Sequence, residues 1–268
     1  DDEVFKIWLA DKVMTNSKYY VGQHGNNYGT NYLTVDNIEE QTSDKFISWG
    51  WKNSTKQIPA FMFKSVGEKM VNVNPNGRLL LVEYFYKFGR STWDSAYEFI
   101  KYYDDQQEFV KQLDNSLRQE VIIRLDSNSY NCFLDQEKKW SEFDIKLKID
   151  LGKTPIKKLI ADSRLIVFSY DSTGMLETLS QNIPTLVFWQ NQFDYLTEDA
   201  KPYYQLLIDA EIICLSPKSA AKKVNMVWHN INEWWNLSEV QEARKKFCNY
   251  YAKTSKNPVS ELRNILLS

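Results

Sequence analysis

The chain has 268 residues, 43% hydrophobic and 25% charged, the balance of a folded globular protein with length for one or two domains and a sizeable core. Its 33 basic and 35 acidic residues leave a formal charge of −2, which gives no general electrostatic basis for nucleic-acid binding. Three cysteines, Cys132, Cys214 and Cys248, without paired spacing argue against a disulfide framework or zinc site and for a reducing, cytoplasmic setting. No apolar run approaches the roughly 20 residues that span a bilayer. The opening DDEVFKIWLADK is neither a signal peptide nor Met-initiated, so the chain reads as a fragment or processed form.

Short apolar runs alternate with helical periodicity, which predicts an α/β protein. Residues 4–14 read as a helix, 18–22 as a strand ending at QHG, 25–44 as polar loop, and 45–50 (KFISWG) as a second strand. Turn residues in VNVNPNGR, 71–78, mark a boundary, which divides the chain into units 1–76 and 77–236, with C-terminal helices in 237–268. The second unit opens with strand 79–86 and helix 93–114. Strands at 120–125 and 145–149 and a helix at 155–163 follow, Pro155 standing where a missing N–H costs little. Strand 164–170, the turn DSTG, helix 174–182 and strand 184–189 then form a βαβ unit, which crosses over right-handedly. Helix 197–210, strand 211–215, helix 217–235 and a last helix near 237–252 complete a doubly wound domain.

The DSTG junction is the strongest local signal. Asp171 or Ser172 can cap the helix, and Ser172, Thr173 and Gly174 then offer N–H groups and hydroxyls at a positive helix end, a setting for phosphate at the strand C-termini. An ordinary capped helix has the same composition. Glu177 on the first turn either complements the dipole or accepts from a ribose. Neither a Walker loop nor GxGxxG is present. Arg124, ending its strand, and Arg90 with Ser91 in the loop after 79–86 are further anion contacts, although surface arginines are common.

His24 follows a strand in a glycine-bearing loop, where an imidazole can act as general base or bond a phosphate, or can be a turn residue satisfied by backbone. Glu39, Glu40 or Asp44 could orient it. Asp104 and Asp105 lie within a predicted helix, where neighbours diverge, and no motif requires a metal. His229 reads as packing or surface.

Taken in order, QHGNNYG, EEQTSDKFISWGW, LGKTPIKKLIADSRL, SRLIVFSYDSTGMLETLSQNIPTLVFW and AKPYYQLLIDAEI resemble the LIC12162 family of surface-polysaccharide (O-antigen type) transferases, more distantly the Kdo-type and other GT-B glycosyltransferases. The likeness covers nearly all of 3–250, with Asn26 and Asn27 where the pattern has glycines and Asp171 where it has Asn. It implies two Rossmann-like doubly wound domains, the N-terminal one incomplete here. It also implies a first-unit cleft wall of Gln23, His24 and Gly25 facing a nucleotide side of Arg124, Ser172, Thr173, Gly174 and Glu177.

These readings combine in a metal-independent glycosyltransferase that moves a sugar from a CMP-, UDP- or GDP-linked donor to a glycan or lipid-linked glycan. His24 with Glu40 serves the acceptor, and the helix end with Arg90 and Arg124 serves the leaving phosphate. The nucleotide-sugar is a co-substrate, no separate cofactor is expected, and the location is the cytoplasm or the inner membrane face, where the chain binds peripherally. The alternatives are a nucleotide-sugar epimerase or polyol-phosphate transferase on the same scaffold, and a non-catalytic glycan- or nucleotide-binding module.

Overall fold

A computed structural model describes residues 2–34, 37–67, 71–84, 96–126, 136–189 and 194–267. Arg90, Ser91 and Cys132, with the adjoining ends of the predicted strand 79–86 and helix 93–114, lie outside them. The first unit opens with helix α1, Glu3–Met14, capped by Asp2, whose carboxylate accepts from the Phe5 N–H at 3.1 Å. Strands β1 (Tyr20–Gly22), β2 (Lys45–Ser48) and β3 (Gln57–Pro59) form a parallel sheet in the order β1-β2-β3. The segment predicted as loop holds a short helix, α2 (Ile38–Thr42), nucleated by Asn37, whose side chain accepts from the Glu39 N–H. β3 had no periodic signal because it is three residues long and ends in proline.

The second unit is a six-stranded parallel sheet of β4 (Arg78–Val82), β5 (Val121–Arg124), β6 (Lys148–Asp150), β7 (Ser163–Phe168), β8 (Thr185–Phe188) and β9 (Ile213–Cys214). Their order, β6-β5-β4-β7-β8-β9, is doubly wound, with the reversal between β4 and β7. The expected α/β class and Rossmann-like winding are therefore observed. β4 and β7 are near-continuous apolar runs because a central parallel strand is covered on both faces.

Helices α3 (Ala96–Gln112), α4 (Asn115–Arg118), α5 (Gln136–Phe143) and α6 (Ile156–Ala161) connect the first four strands, and α7 (Thr173–Ser180), α8 (Lys201–Asp209) and α9 (Pro217–Val227) follow them. Two differences from the sequence reading have local causes. The predicted strand 145–149 starts later, at Lys148, because Ile145 points to solvent at 86% exposure. The single helix expected over 217–235 is broken after Val227, where the Asn230 N–H turns back to the Val227 carbonyl, and α10 (Ile231–Trp235) restarts with Trp234 and Trp235 buried.

The last helices, α11 (Ser238–Tyr251) and α12 (Pro258–Leu267), return to the first unit. The Lys253 N–H donates to the Trp49 carbonyl at 3.0 Å and the Met62 N–H to the Lys253 carbonyl at 2.7 Å, while Leu262 and Ile265 pack on Ile47 and Phe61. One buried cluster runs through both units, joining Phe46, Trp49, Trp51 and Met62 to Leu79, Leu80 and Leu81. Gly50, at the centre of WGW, makes the return possible: its φ is +126°, and a Cβ there would lie 2.8 Å from the Tyr250 carbonyl oxygen.

Gly50→Ala is expected to cost about 1–3 kcal/mol, from strain and from the clash with the end of α11. Thermal unfolding would register this as a fall of roughly 2–4 °C per kcal/mol. An unchanged Tm would contradict the packing described.

Candidate active site

The loop after β1 is built on Gln23, whose side chain is buried. Its Nε2 donates to the Gly25 carbonyl at 2.9 Å, and its Oε1 accepts from the Trp49 N–H at 3.0 Å and the Trp51 indole at 2.8 Å. Gln23 therefore does not line a cleft as expected: it is the frame on which QHG and WGW interlock, each amide group satisfied where water cannot reach. Asn27 and Gly29 take left-handed φ values of 74° and 71°, which asparagine and glycine tolerate. At Gly29 a Cβ would sit 2.5 Å from the Trp51 ring, so the loop lies flat on the indole.

This frame presents His24, whose side chain is 67% exposed. Its Nε2 lies 2.6 Å from the Tyr28 hydroxyl and 3.3 Å from Glu39 Oε1, and the same hydroxyl donates to Glu39 Oε2 at 2.7 Å. Tyr28 stacks on Phe46, which fixes the ring. Burial and the Glu39 carboxylate raise the Tyr28 pKa, so its phenol stays protonated.

The expected partner, Glu40, is not beside the histidine. Consecutive residues of α2 diverge, and the Glu40 carboxylate accepts from Gln57 Nε2 at 2.7 Å and Ser54 Oγ at 3.2 Å, tying α2 to the turn before β3. Asp44 is taken by the Tyr19 N–H. Glu39 is the carboxylate of the cluster.

The loop docks on the N-terminus of α7. The Asn26 N–H donates to Thr173 Oγ1 at 3.0 Å, Asn26 Nδ2 donates to Asp171 Oδ1 at 2.6 Å, and a Cβ added at Gly25 would lie 3.8 Å from Thr173 Oγ1. Asn26 and Asp171, which both depart from the pattern noted in the sequence, thus bond to each other. Further clasps join the Thr197 N–H to the Thr30 carbonyl and the Tyr32 N–H to the Tyr195 carbonyl. His24 is accordingly held beside the positive end of α7, where β7 ends at the reversal of the sheet.

Ser172 is the N-cap, its hydroxyl accepting from the Met175 N–H at 3.1 Å, and Thr173 uses its hydroxyl on Asn26. Gly174 does not open the backbone to a ligand. A Cβ there would lie 2.8 Å from Phe168, so the glycine serves close packing of α7 on β7. Glu177 lies 3.6 Å from Lys64 of the first unit. Arg124 is paired with Asp150 at the end of β6, and that pairing and the Thr154 side chain draw the Asp150 carboxyl below its usual range despite partial burial. Arg90 lies outside the described residues.

Two buried acids, neither of them expected as a site residue, have carboxyls raised by burial. Asp171 accepts from Asn26, Tyr204 at 2.8 Å and Tyr195 at 3.3 Å, yet burial pushes its carboxyl up to about 6. Glu83, directly after β4, is raised by burial to about 8 and accepts from the Trp140 indole at 2.9 Å. Its signal was legible: it is the one acid in the run LLLVEYFY.

A family model described as LIC12162 family transferase matches residues 1–266. The chain belongs to that family. No match was found among functionally curated proteins. Among solved structures it is similar to the wall teichoic acid polymerase TagF (14% identity, TM-score 0.42, 86% of this chain and 58% of that one). It is also similar to WaaG, a glycosyltransferase involved in lipopolysaccharide biosynthesis (15%, 0.41, 82% and 62%). A third is the spinosyn rhamnosyltransferase SpnG complexed with thymidine diphosphate (12%, 0.45, 84% and 57%). The chain thus spans less than two thirds of the length of each. No helix among the described residues is long and apolar enough to cross a membrane.

Because Asp171 holds its proton more tightly folded than unfolded, it favours the fold most below the ordinary carboxylate range, and that contribution is lost as pH rises through about 6. Asp171→Asn removes the titration. Urea unfolding from pH 4 to pH 7 should show the variant gaining stability relative to wild type as pH rises. A difference independent of pH would contradict the assignment.

Proposed function

We propose that this chain carries the reaction centre of a GT-B-type glycosyltransferase, moving a sugar from a nucleotide-activated donor to a surface-polysaccharide or lipid-linked glycan acceptor at the cytoplasmic face of the membrane. The observation that carries the reading is the exposed His24, backed by Tyr28 and Glu39 and held by Asn26 against the N-terminus of α7. Membership in a transferase family supports group transfer over epimerisation.

The hydrogen bonds support the following chemistry. The single Tyr28 hydroxyl proton goes to Glu39, so in the neutral ring the Nε2–H of His24 donates to Tyr28 and Nδ1 carries the lone pair. Nδ1 then takes the proton of the acceptor hydroxyl as its oxygen forms the new bond to the anomeric carbon. Glu39 and Tyr28 stabilise the resulting imidazolium. The bond from the anomeric carbon to the donor phosphate breaks, and the charge left on the phosphate is met by the positive end of α7. With Arg124 engaged by Asp150, this stabilisation is assigned chiefly to α7.

His24→Ala should lower kcat by about 10²–10⁴-fold, the range for a lost general base, with donor affinity retained. Glu39→Gln should lower kcat less, and Glu40→Gln only a few-fold. These rates, with calorimetric titration of CMP-, UDP-, GDP- and CDP-linked donors, test the reading. Full activity in His24→Ala removes the histidine from catalysis, binding of no nucleotide overturns the transfer reading, and nucleotide binding without turnover in the whole protein points to a binding module.

A further inference from the structure

Away from the His24 loop, the starts of β1 and β2, the edge strand β3 and the turn before it line a half-open cavity of about 430 Å³. Three of its lining side chains are lysines, Lys18, Lys45 and Lys52, and none is acidic. Tyr20 and Thr55 add hydroxyls, and Ile58 and Pro59 an apolar wall. In a chain whose formal charge is −2, three ammonium groups around one cavity are a local excess of positive charge.

Two acids of the surrounding segments accept hydrogen bonds from neighbouring groups. Asp44 accepts from the Tyr19 N–H, and Glu40 from Ser54 and Gln57. Lys45 donates to the Thr55 carbonyl at 3.1 Å, which holds it across the cavity mouth, and Lys18 and Lys52 form no ion pair among the described residues. The rim is also fixed. Gln57 Oε1 accepts from the N–H groups of Asn53 and Ser54, and Lys56 spends its ammonium group on the carbonyls of Glu40, Gln41 and Ser43. One lysine of the segment is thus structural, while those around the cavity keep donors free.

We propose that this cavity binds a phosphate ester. Lysine ammonium groups meet a phosphate as point charges without a fixed fork, and a pre-set rim spares the ordering cost of gathering them around the anion. The site lies at the starts of β1 and β2, whereas His24 follows the end of β1, so the site is separate from the reaction centre and does not rest on the transfer reading. A phosphorylated saccharide and a phospholipid headgroup both present this chemistry.

The test titrates the ¹⁵N-labelled chain with glycerol 3-phosphate, with glycerol as the neutral control, and sediments it with vesicles of phosphatidylglycerol or phosphatidylcholine. Saturable shifts at the amides of Lys18, Lys45, Lys52 and Thr55 with glycerol 3-phosphate identify a soluble phosphate ester. Lys18→Gln and Lys52→Gln should each weaken binding by about tenfold, the worth of one charged hydrogen bond. Sedimentation with phosphatidylglycerol alone, lost in the Lys18→Gln/Lys52→Gln double variant, identifies the lipid source. A Lys101→Gln/Lys201→Gln control, which removes the same charge elsewhere, should leave either result unchanged. Absence of both interactions, or binding indifferent to Lys18 and Lys52, overturns the proposal.

Discussion

Two hydrogen bonds from one residue set the geometry of the site. Asn26 places its backbone N–H on Thr173 Oγ1 and its side-chain amide on Asp171, and so fastens the loop after β1 to the N-terminus of α7. Together with the Thr197–Thr30 and Tyr32–Tyr195 clasps, they hold the histidine loop at the helix end. The pair is expensive because Asp171 is buried, and burial raises its pKa even though Tyr204, Tyr195 and Asn26 all donate to it. Such a carboxylate stabilises little by itself. Its value is specificity of docking, since an unmade bond there would leave a buried charge unpaired.

The rest of the first unit supports that contact. Gln23 bonds to both WGW and the glycine after His24, so the small sheet and the loop move as one body. Gly50 allows the end of α11 to approach, and the carbonyl of Trp49 and the N–H of Met62 bond to Lys253, closing the C-terminal segment over the same sheet. The WGW motif thus serves the candidate site indirectly, by holding the residues that hold His24.

Much of the fold was legible because parallel strands buried on both faces write themselves as apolar runs, as in RLIVF and LLLV, and because Ser172 caps α7 as its residue type predicts. Short elements were not. β3 and α2 owe their existence to neighbours and to a cap, not to periodicity. At the site, the loop and the helix end were readable, but the partner of His24 was not: Glu39 and Glu40 are adjacent in sequence, and only the direction of α2 decides that Glu39 faces the ring. Likewise Gly174 reads as a ligand approach until Phe168 is seen against it, and Gln23 reads as a cleft residue until its burial is known.

In the proposed reaction His24 faces a nucleotide-activated sugar while His229 does not, and the chain has only these two histidines. Histidine-selective ¹⁵N NMR during titration with such a donor tests this most directly. The expected result is a saturable change at the His24 ring nitrogens, largest at Nδ1, with His229 unmoved. Donor binding that leaves the His24 signals unchanged would contradict it.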